Sequence, residues 1–332
     1  MRGPLSDMRE TPMTDVLTNI LRSMRPRVDL LGRFDLSGNW ALDFGHVESA
    51  AFHLVGRGPL WLHCHAYDEP LELNEGDVAF FPRRQWHQFG GTRERSKETR
   101  IIQPESKQEP VNILVSCVMN FESNTFNPVL ASLPALMIGH CQDEFASAEL
   151  ASLTRLVLSE YDATTPGYEA MRERLAEALF IQLLRYYMRT AEELQGLLRT
   201  LGDPQLARAL AVVHAEPGRD WDVDKLAREA GMSRSAFARR FSDCMGTSPM
   251  QYLYEWRMHL AEQMLREPGR SVAQVADALG YNTEAAFRHA FKRARGIGPG
   301  KIRRAARAGV DADGPAPPDE TGAKLSHGER TA

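Results

Sequence analysis

Cysteine is scarce in this sequence, and long apolar runs are absent from it. The 332 residues include four cysteines, spaced far apart and without a Cys-x2-Cys pair: Cys64, Cys117, Cys141 and Cys244. Isolated cysteines argue against a disulfide framework or a zinc knuckle and are typical of a reducing cytoplasm. No apolar run approaches the ~18 residues of a membrane-spanning helix, and the first residues contain no apolar signal-peptide segment. We therefore expect a cytoplasmic protein that has no membrane partner.

The net charge of −4 is small, but the charges are unevenly distributed along the chain. Between residues 203 and 310, 18 lysines and arginines oppose 12 aspartates and glutamates, whereas the remaining residues are acidic overall. A basic C-terminal region on an acidic body is typical of a nucleic-acid-binding module joined to a domain with another task. The chain is long enough for two or three domains, and its 43% apolar residues suffice for their cores.

The basic region contains an internal repeat with a spacing of about 50 residues. The offset is 49 from Gly231 to Gly280 and 50 from Phe237 to Phe287. Each copy has a capping residue, Ala-x3-Gly, a hydroxyl cap, Phe-x3-Phe and Gly-x2-Pro. The first copy comprises Asp222, Ala227, Gly231, Ser233, Phe237, Phe241, Gly246 and Pro249, and the second comprises Ser271, Ala276, Gly280, Thr283, Phe287, Phe291, Gly296 and Pro299. Small residues where helices cross, with a glycine in the turn between them, predict a pair of helix-turn-helix units.

Capping residues mark where the helices of the repeat begin. Ser271 with Gln274 and Ser248 with Gln251 have the spacing of capping boxes, and Pro249 suits a first helical position. The phenylalanines face a core, so the second helix of each unit exposes its other face. The predicted exposed residues are Arg234, Ser235, Ala238 and Arg239 in the first unit and Glu284, Ala285, Arg288 and His289 in the second. The hydroxyl cap of the second unit, Thr283, is a further candidate DNA contact.

A helix with arginines and short side chains on its exposed face can enter the major groove of DNA. The alternative is that these charges are merely solvated. Duplication favours DNA binding, because two such helices in one chain can contact two adjacent grooves without dimerisation. The segment 249–266 between the units would be about 27 Å long as a helix, near the ~34 Å between successive groove faces.

The region from about residue 204 to 307 resembles the AraC family of bacterial transcription regulators. The segments that carry the resemblance are 227–241, 246–253, 256–258, 275–281 and 286–291. The resemblance implies double-stranded promoter DNA as a partner, RNA polymerase as a second one, activation of transcription, and base-facing positions at Ser235, Ala238, Arg239, Glu284, Ala285 and His289. One departure follows the second Gly-x2-Pro, where the family usually has an aromatic residue and this chain has Gly300-Lys-Ile302. A weaker last helix and a smaller contribution of the second unit to specificity are expected from it.

Short, alternating segments separated by Gly and Pro occupy the chain from about residue 28 to 121. Five of them have the pattern of strands: 51–55, 60–65, 70–73, 77–81 and 111–115. Strands at this spacing predict a small barrel or sandwich. An amphipathic helix is predicted before them, at 13–24, and helical periodicity returns between residues 144 and 200.

Histidines in the strand region resemble the metal-binding motifs of cupin barrels. Gly76, Asp77, Pro82 and His87 match the second cupin motif, and that resemblance would supply a metal ligand at His87. Two alignments of the first motif are open, one with His63, His65 and Glu69 and the other with His46, Glu48 and His53. Neither supplies a complete ligand set, so we expect no metal and no other cofactor, and favour histidines that are structural or line a pocket. A metal-dependent cupin enzyme with a helical appendage is the alternative.

Two of the cysteines are candidate sensors. Cys64 lies between His63 and His65, which would favour its thiolate when protonated. Cys117 is close to a position that some relatives in the cupin-containing branch of the AraC family use to sense oxidants. The alternative is that Cys117, like Cys244, is a small core residue.

The sequence therefore predicts an α+β protein with three domains and a tail. They are a cupin-like sensor barrel at 1–125, a helical coupling and dimerisation region at 126–202, an all-α double helix-turn-helix domain at 203–308, and a disordered tail at 309–332. The expected function is a one-component, sequence-specific transcription regulator that responds to a small effector or a chemical signal and forms a homodimer.

Overall fold

The computed structural model describes residues 16–45, 49–83, 85–99, 101, 109–121, 128–141, 148–161, 165–191 and 194–308. Helix α1 spans Val16–Met24 and buries Val16, Ile20 and Met24, as its amphipathic pattern predicts. The strands are β1 (Pro26–Leu36), β2 (Ala41–Asp43), β3 (Ala50–Arg57), β4 (Leu60–Cys64), β5 (Leu71–Leu73), β6 (Val78–Phe81), β7 (His87–Gly90), β8 (Asn112–Phe121) and β9 (Met137–Gly139). All five predicted strand segments are present, whereas β1, β2, β7 and β9 were not predicted individually.

The strands form two antiparallel sheets with one core between them. The first has the order β1-β8-β3-β6-β9 and the second has the order β2-β7-β4-β5. Side chains alternate along each strand, and the inward set packs into a cluster that includes Trp40, Val55, Leu62, Phe81 and Leu114. The cupin-like α+β fold is confirmed, but the described strands make two sheets and not one closed barrel.

The segment 126–202, which was predicted to be helical, also contains a strand, β9. Val78 of β6 pairs with Gly139 of β9, so this strand completes the five-stranded sheet beyond residue 125. A three-residue strand is too short to show a period of two, which is why the sequence pattern did not reveal it.

Helices cover the outer face of the five-stranded sheet. The helices that contact this sheet are α3 (Ala148–Tyr161) and α4 (Tyr168–Thr190), and two shorter helices, α2 (Pro128–Ala131) and α5 (Gly196–Gly202), pack against each other. Phe180 of α4 packs on Phe80 at a ring-centroid distance of 5.2 Å and on Phe52 at 6.2 Å. The two faces of this sheet are thus both buried, one against the second sheet and one against helices.

The repeat region is entirely helical. Its helices are α6 (Pro204–Ala215), α7 (Val223–Ala230), α8 (Arg234–Met245), α9 (Pro249–Arg266), α10 (Val272–Ala278), α11 (Glu284–Arg295) and α12 (Pro299–Ala308). Gly231 has φ of +66° in the turn between α7 and α8, and Gly280 has φ of +76° between α10 and α11. These left-handed turns are the reason for the repeated glycine, since a side chain is strained there.

The chain divides into two compact units. The first comprises Met1–Glu216 with Trp221–Leu253, and the second comprises Pro217–Asp220 with Tyr254–Ala332. The sheets, the central helices and the first helix-turn-helix belong to the first of these two compact units. The predicted tail, residues 309–332, lies outside the described residues.

Candidate nucleic-acid interface

Caps and two phenylalanines hold helix α8 in place. The hydroxyl of Ser233 accepts a hydrogen bond from the amide of Ala236 at 3.3 Å and begins the helix. Phe237 and Phe241 are buried on one face with ring centroids 5.7 Å apart. Because this face is committed to the core, the opposite face is directed to solvent.

The solvent face of α8 carries the residues that were predicted for it. Arg234, Ser235 and Arg239 are exposed, and Ala238 is partly exposed. Arg234 is ion-paired, since its Nη1 lies 3.0 Å from Oδ2 of Asp224 on α7. Arg239 has no ion pair with another residue in the described part of the chain. Its guanidinium is therefore available to a ligand without the loss of an internal contact.

Arg240 was not predicted as part of the interface. In the structure its side chain holds α8 in place through contacts with Asp203 and Gln205. Its Nη2 lies 2.6 Å from Oδ2 of Asp203, and its Nη1 donates to Oε1 of Gln205 at 3.0 Å. Asp203 also caps α6, because its side chain accepts from the amides of Gln205 and Leu206. Arg240 thus anchors α8 to the start of α6. The Asp203-Pro204 pair is a helix-start signal, so the sequence could have predicted where α6 begins, although not its contact with Arg240.

In the second helix-turn-helix unit, helix α11 repeats the arrangement of α8. The hydroxyl of Thr283 accepts a hydrogen bond from the amide of Ala286 at 3.1 Å, so this predicted contact residue is also the helix cap. Phe287 and Phe291 are buried with ring centroids 5.7 Å apart, the same distance as in the first copy. The hydroxyl proton of Thr283 is free of this cap and suits donation to a phosphate.

The exposed face of α11 differs from that of α8 in its charges. Nε of Arg288 donates to Oε1 of Glu284 at 2.6 Å, a pair one turn apart on the helix. Ala285 and His289 are exposed beside this pair. An arginine that is neutralised on its own helix offers less attraction to DNA than Arg239 of α8, which has no ion pair among the residues that the structure describes.

The capping box predicted at Ser271 is confirmed, and one of the two hydrogen bonds of the box predicted at Ser248 is present. Ser271 and Gln274 form the predicted capping box in both directions, at 3.1 and 2.8 Å. The amide of Gln251 donates to the hydroxyl of Ser248 at 3.2 Å at the start of α9. The departure at Gly300 does not prevent α12 from forming, since Ile302 is buried in the core of the second unit.

A buried chain of hydrogen bonds joins the two sheets of the cupin domain. Nδ1 of His53 lies 2.9 Å from Oγ of Ser116, Nε2 of His53 lies 2.8 Å from Nε2 of His87, and Nδ1 of His87 lies 2.9 Å from the carbonyl oxygen of Gln85. Only Nδ1–H of His87 can satisfy that carbonyl, so its Nε2 accepts from His53 and the Nδ1 of His53 accepts from Ser116. Each histidine is therefore neutral with one defined tautomer.

Burial disfavours a charge on either ring. It lowers the pKa of His53 well below 6.5, with a further contribution from His87, and it lowers the pKa of His87 to about 4. The described residues do not fit a metal, because the two facing nitrogens bond to each other and no group of three suitable side chains occurs among those residues. The other two candidates of this set, His46 and Glu48, lie outside the described residues.

The alternative set of histidines lies on the other face of β4. Leu62 and Cys64 face the core, so strand alternation directs His63 and His65 away from it. His65 packs against Trp86 at 5.2 Å between ring centroids, and Glu69 pairs with Arg93 at 3.1 Å. These residues do not join the His53 and His87 pair.

The environment of both candidate sensor thiols favours the protonated form. Burial raises the pKa of Cys64, and the expectation that His63 and His65 favour its thiolate is wrong, since these rings lie on the opposite face of the strand. Burial raises the pKa of Cys117 to about 12. Both thiols pack as small core residues. Ser116, which fixes the tautomer of His53, carried no signal in the sequence because only strand pairing brings them together.

Comparisons with known proteins support both halves of this description. A cupin family model matches residues 15–189, and a helix-turn-helix domain model matches residues 226–305. A protein of Streptomyces lividans named as an AraC-like transcription regulator is 30% identical over 302 residues, which cover 87% of this chain and 98% of the relative. This chain belongs to the AraC family of transcription regulators.

Two further matches place this AraC-family regulator among its relatives. The RCS-specific transcriptional activator RclR of Escherichia coli K12 is 24% identical over 292 residues, which cover 87% of this chain and 97% of RclR. The DNA-binding domain of AdpA, solved with a target DNA, is 36% identical over 32% of this chain and 95% of that domain, with a TM-score of 0.31. The relatives are named as transcription regulators, which favours a regulator over the alternative of a cupin enzyme. Among the described helices, none is both long and apolar enough to cross a membrane.

Proposed function

We propose that this AraC-family protein is a one-component regulator whose cupin domain receives a signal and whose two helix-turn-helix units bind a promoter in a sequence-specific way. The observation that carries the proposal is the exposed face of α8. Arg239 stands there without an ion pair in the described chain, while carboxylates hold Arg234 and Arg240 on either side of it. An unpaired arginine on such a face is suited to a bidentate contact with guanine.

The second unit is proposed to contribute less to base recognition. Its arginine, Arg288, is closed onto Glu284 on the same helix, so this part of α11 has no net charge. A glutamate in a major groove accepts from the amino group of cytosine, which requires this ion pair to open first. We therefore infer that base specificity resides mainly between Arg234 and Arg239.

A non-covalent small effector is the form of signal that the cupin domain supports best. RclR is named as an RCS-specific activator. A signal that acts by oxidation of a cysteine in this chain would need a reactive thiol. The reactive form of cysteine is the thiolate, and the raised pKa values of Cys64 and Cys117 disfavour that form. Oxidation at these two positions is accordingly the weaker alternative.

The central helices are proposed to couple the domains and to form a homodimer. Leu156 on α3 and Met171 on α4 are about half exposed, at 52% and 51%. Large apolar side chains at the surface of two adjacent helices favour association with a second copy. Charged substitutions, Leu156→Glu with Met171→Glu, should convert a dimer to a monomer in sedimentation-velocity runs. A monomeric unmodified protein would contradict this part. Contact with RNA polymerase and activation of transcription are expected from the family.

Genome-wide mapping of bound DNA, followed by affinity measurements, tests the central proposal. A fragment recovered by mapping and a shuffled fragment of equal length and composition are compared at physiological salt. A regulator should separate them by ~10³-fold or more. Equal affinities would indicate non-specific DNA compaction instead.

The variant Arg239→Ala tests the role of α8. We expect promoter affinity to fall by about 1–3 kcal/mol, because a base contact is lost, with the melting temperature nearly unchanged, because the side chain has no ion pair with the described chain. Arg27→Ala, an exposed arginine on β1, is the matched control. A large drop in melting temperature would mean that Arg239 is a core contact.

A further inference from the structure

The second helix-turn-helix unit contains a network of four charges, two of which are buried and two partly exposed. Glu262 on α9 and Arg295 at the end of α11 have side chains that are 2% and 4% exposed, and Nε of Arg295 lies 3.3 Å from Oε2 of Glu262. Nη1 of Arg295 lies 3.4 Å from Glu255, and Nη2 of Arg266 lies 3.0 Å from Oε1 of Glu262. Burial of charges is costly unless they are paired, so the partners constrain one another strongly.

The network connects α11 to two turns of α9. Glu255 and Glu262 are seven residues apart on α9, about 10 Å along the helix axis, and the guanidinium of Arg295 contacts both. The hydroxyl of Tyr254 donates to the carbonyl oxygen of Ala290 at 2.8 Å and adds a third contact between the same helices. A shift of α11 by one turn would take the buried guanidinium of Arg295 away from both carboxylates and leave Glu262 with Arg266 alone. The buried Phe287 and Phe291 oppose the same shift through lost packing, and the ionic contacts add a directional constraint to it.

The internal repeat shows that this arrangement is not needed to build the fold. At the offset of 50 residues that relates the phenylalanines, Arg295 corresponds to Met245 in the first unit. Helix α8 therefore ends on a partly buried methionine where α11 ends on a buried arginine. The two copies have the same separation between their phenylalanine rings, so the ionic network adds something other than the core.

We propose that Arg295 and Glu262 are positioning residues that set the register of α11 on α9 and thereby the base preference of the second unit. This inference rests on the proposed DNA-binding function. The arginine at the predicted base-facing positions of α11, Arg288, is paired with Glu284. The placement of this face is therefore more important, because recognition there depends on close fit to the bases. Neither residue is exposed enough to contact DNA itself.

The main test is the double variant Glu262→Met/Arg295→Met in the full chain, in which the methionine at 295 corresponds to Met245 of the first copy. Replacement of a buried ion pair by apolar residues of similar size commonly preserves stability, so cooperative unfolding should persist near the original temperature. The ratio of affinities for the mapped promoter fragment and its shuffled counterpart should fall on the order of tenfold. Affinity for shuffled DNA should change less than about threefold, because phosphate contacts are kept.

Selection of bound sequences from random DNA distinguishes a positioning role from a purely structural one, because loss of stability alone would not change the base preference. Base preference should be lost in one half of the selected site and kept in the half read by α8. The control is Glu267→Gln/Arg270→Gln, which removes an exposed ion pair of the same unit, at 3.0 Å, and should keep the ratio. A folded Met/Met variant with an unchanged ratio overturns the proposal.

A conservative variant decides the case in which the double variant does not fold. Arg295→Lys keeps the charge, but its side chain reaches only one carboxylate, so the variant should fold. Its ratio of affinities for promoter and shuffled DNA should lie between that of the original protein and the roughly tenfold lower ratio expected of the double variant. An unchanged ratio in this variant contradicts the proposal. If the unmodified protein does not distinguish promoter from shuffled DNA, the proposed sequence-specific function is wrong. That result differs from an unchanged ratio in the variants, which contradicts only the positioning role of Arg295 and Glu262.

Discussion

Mild acid should destabilise the cupin domain through its buried histidine pair. His53 and His87 are 0% and 1% exposed, and their Nε2 atoms share one proton across 2.8 Å. Protonation of His87 would place a second proton between these two nitrogens, and protonation of His53 would place one on Nδ1, which accepts from Ser116. Either step would place a positive charge among aromatic rings, including Phe81 stacked on His87 at 3.8 Å. The folded domain therefore resists protonation at pH values where the unfolded chain accepts it.

The sign and size of the effect follow from the two pKa values of His87. The unfolded value is near 6.5 and the folded value is about 4. Above pH 6.5 neither state is protonated and full stability is present, whereas below it only the unfolded state binds the proton, until about pH 4. The free energy of unfolding should therefore fall by about 1 kcal/mol between pH 7 and pH 5.5 for His87 alone. His53 adds a loss in the same direction because its pKa is lowered too.

Denaturant unfolding at pH 7 and pH 5.5 measures this loss, and His87→Gln isolates it from other titrating groups. The variant should lose about 1 kcal/mol less than the unmodified protein on acidification. His65→Gln, which changes an exposed histidine, is the control. Equal losses in the unmodified protein and His87→Gln would refute the reasoning, as would an NMR titration of the His87 ring with a midpoint near 6.5.

Three other predictions concern single positions. Gly280→Ala should lower the melting temperature of the second unit by several degrees in circular dichroism, since a Cβ there would lie 2.1 Å from the carbonyl oxygen of Gly218; a neutral effect would contradict the close approach. Cys117 should stay unlabelled by maleimide in the native protein at pH 7.5, when the two partly exposed cysteines react, because its thiol is buried with a pKa raised to about 12; rapid labelling would restore it as a sensor. Asp224→Asn should release Arg234 and raise affinity for random DNA by a few-fold at low salt, with a steeper salt dependence; an unchanged salt slope would mean that Arg234 does not reach phosphate.

Local patterns were enough to predict the repeat region. The caps at Ser271 and Thr283 and the Phe-x3-Phe spacing are set by residues three or four positions apart, so they are visible in the sequence and are found in the structure. The exposed face of α8 was predicted for the same reason, because helical periodicity alone separates Arg239 from Phe237. Short strands such as β9 escaped prediction because three residues cannot establish a period.

By itself, the sequence determined the two helix-turn-helix units, their exposed faces and the strand-rich character of the N-terminal half, since each depends on contacts between near neighbours along the chain. Only the tertiary structure decided which charges remain available. Arg234, Arg239 and Arg240 are equivalent cations in the sequence, yet Asp224 and Asp203 neutralise two of them across helices. The pairing of His53 with His87 and of Glu262 with Arg295 was settled in the same way. Apart from the Arg234–Asp224 pair, which is 10 positions apart, these contacts join residues more than 30 positions apart. Their energies depend on burial, which no local pattern records.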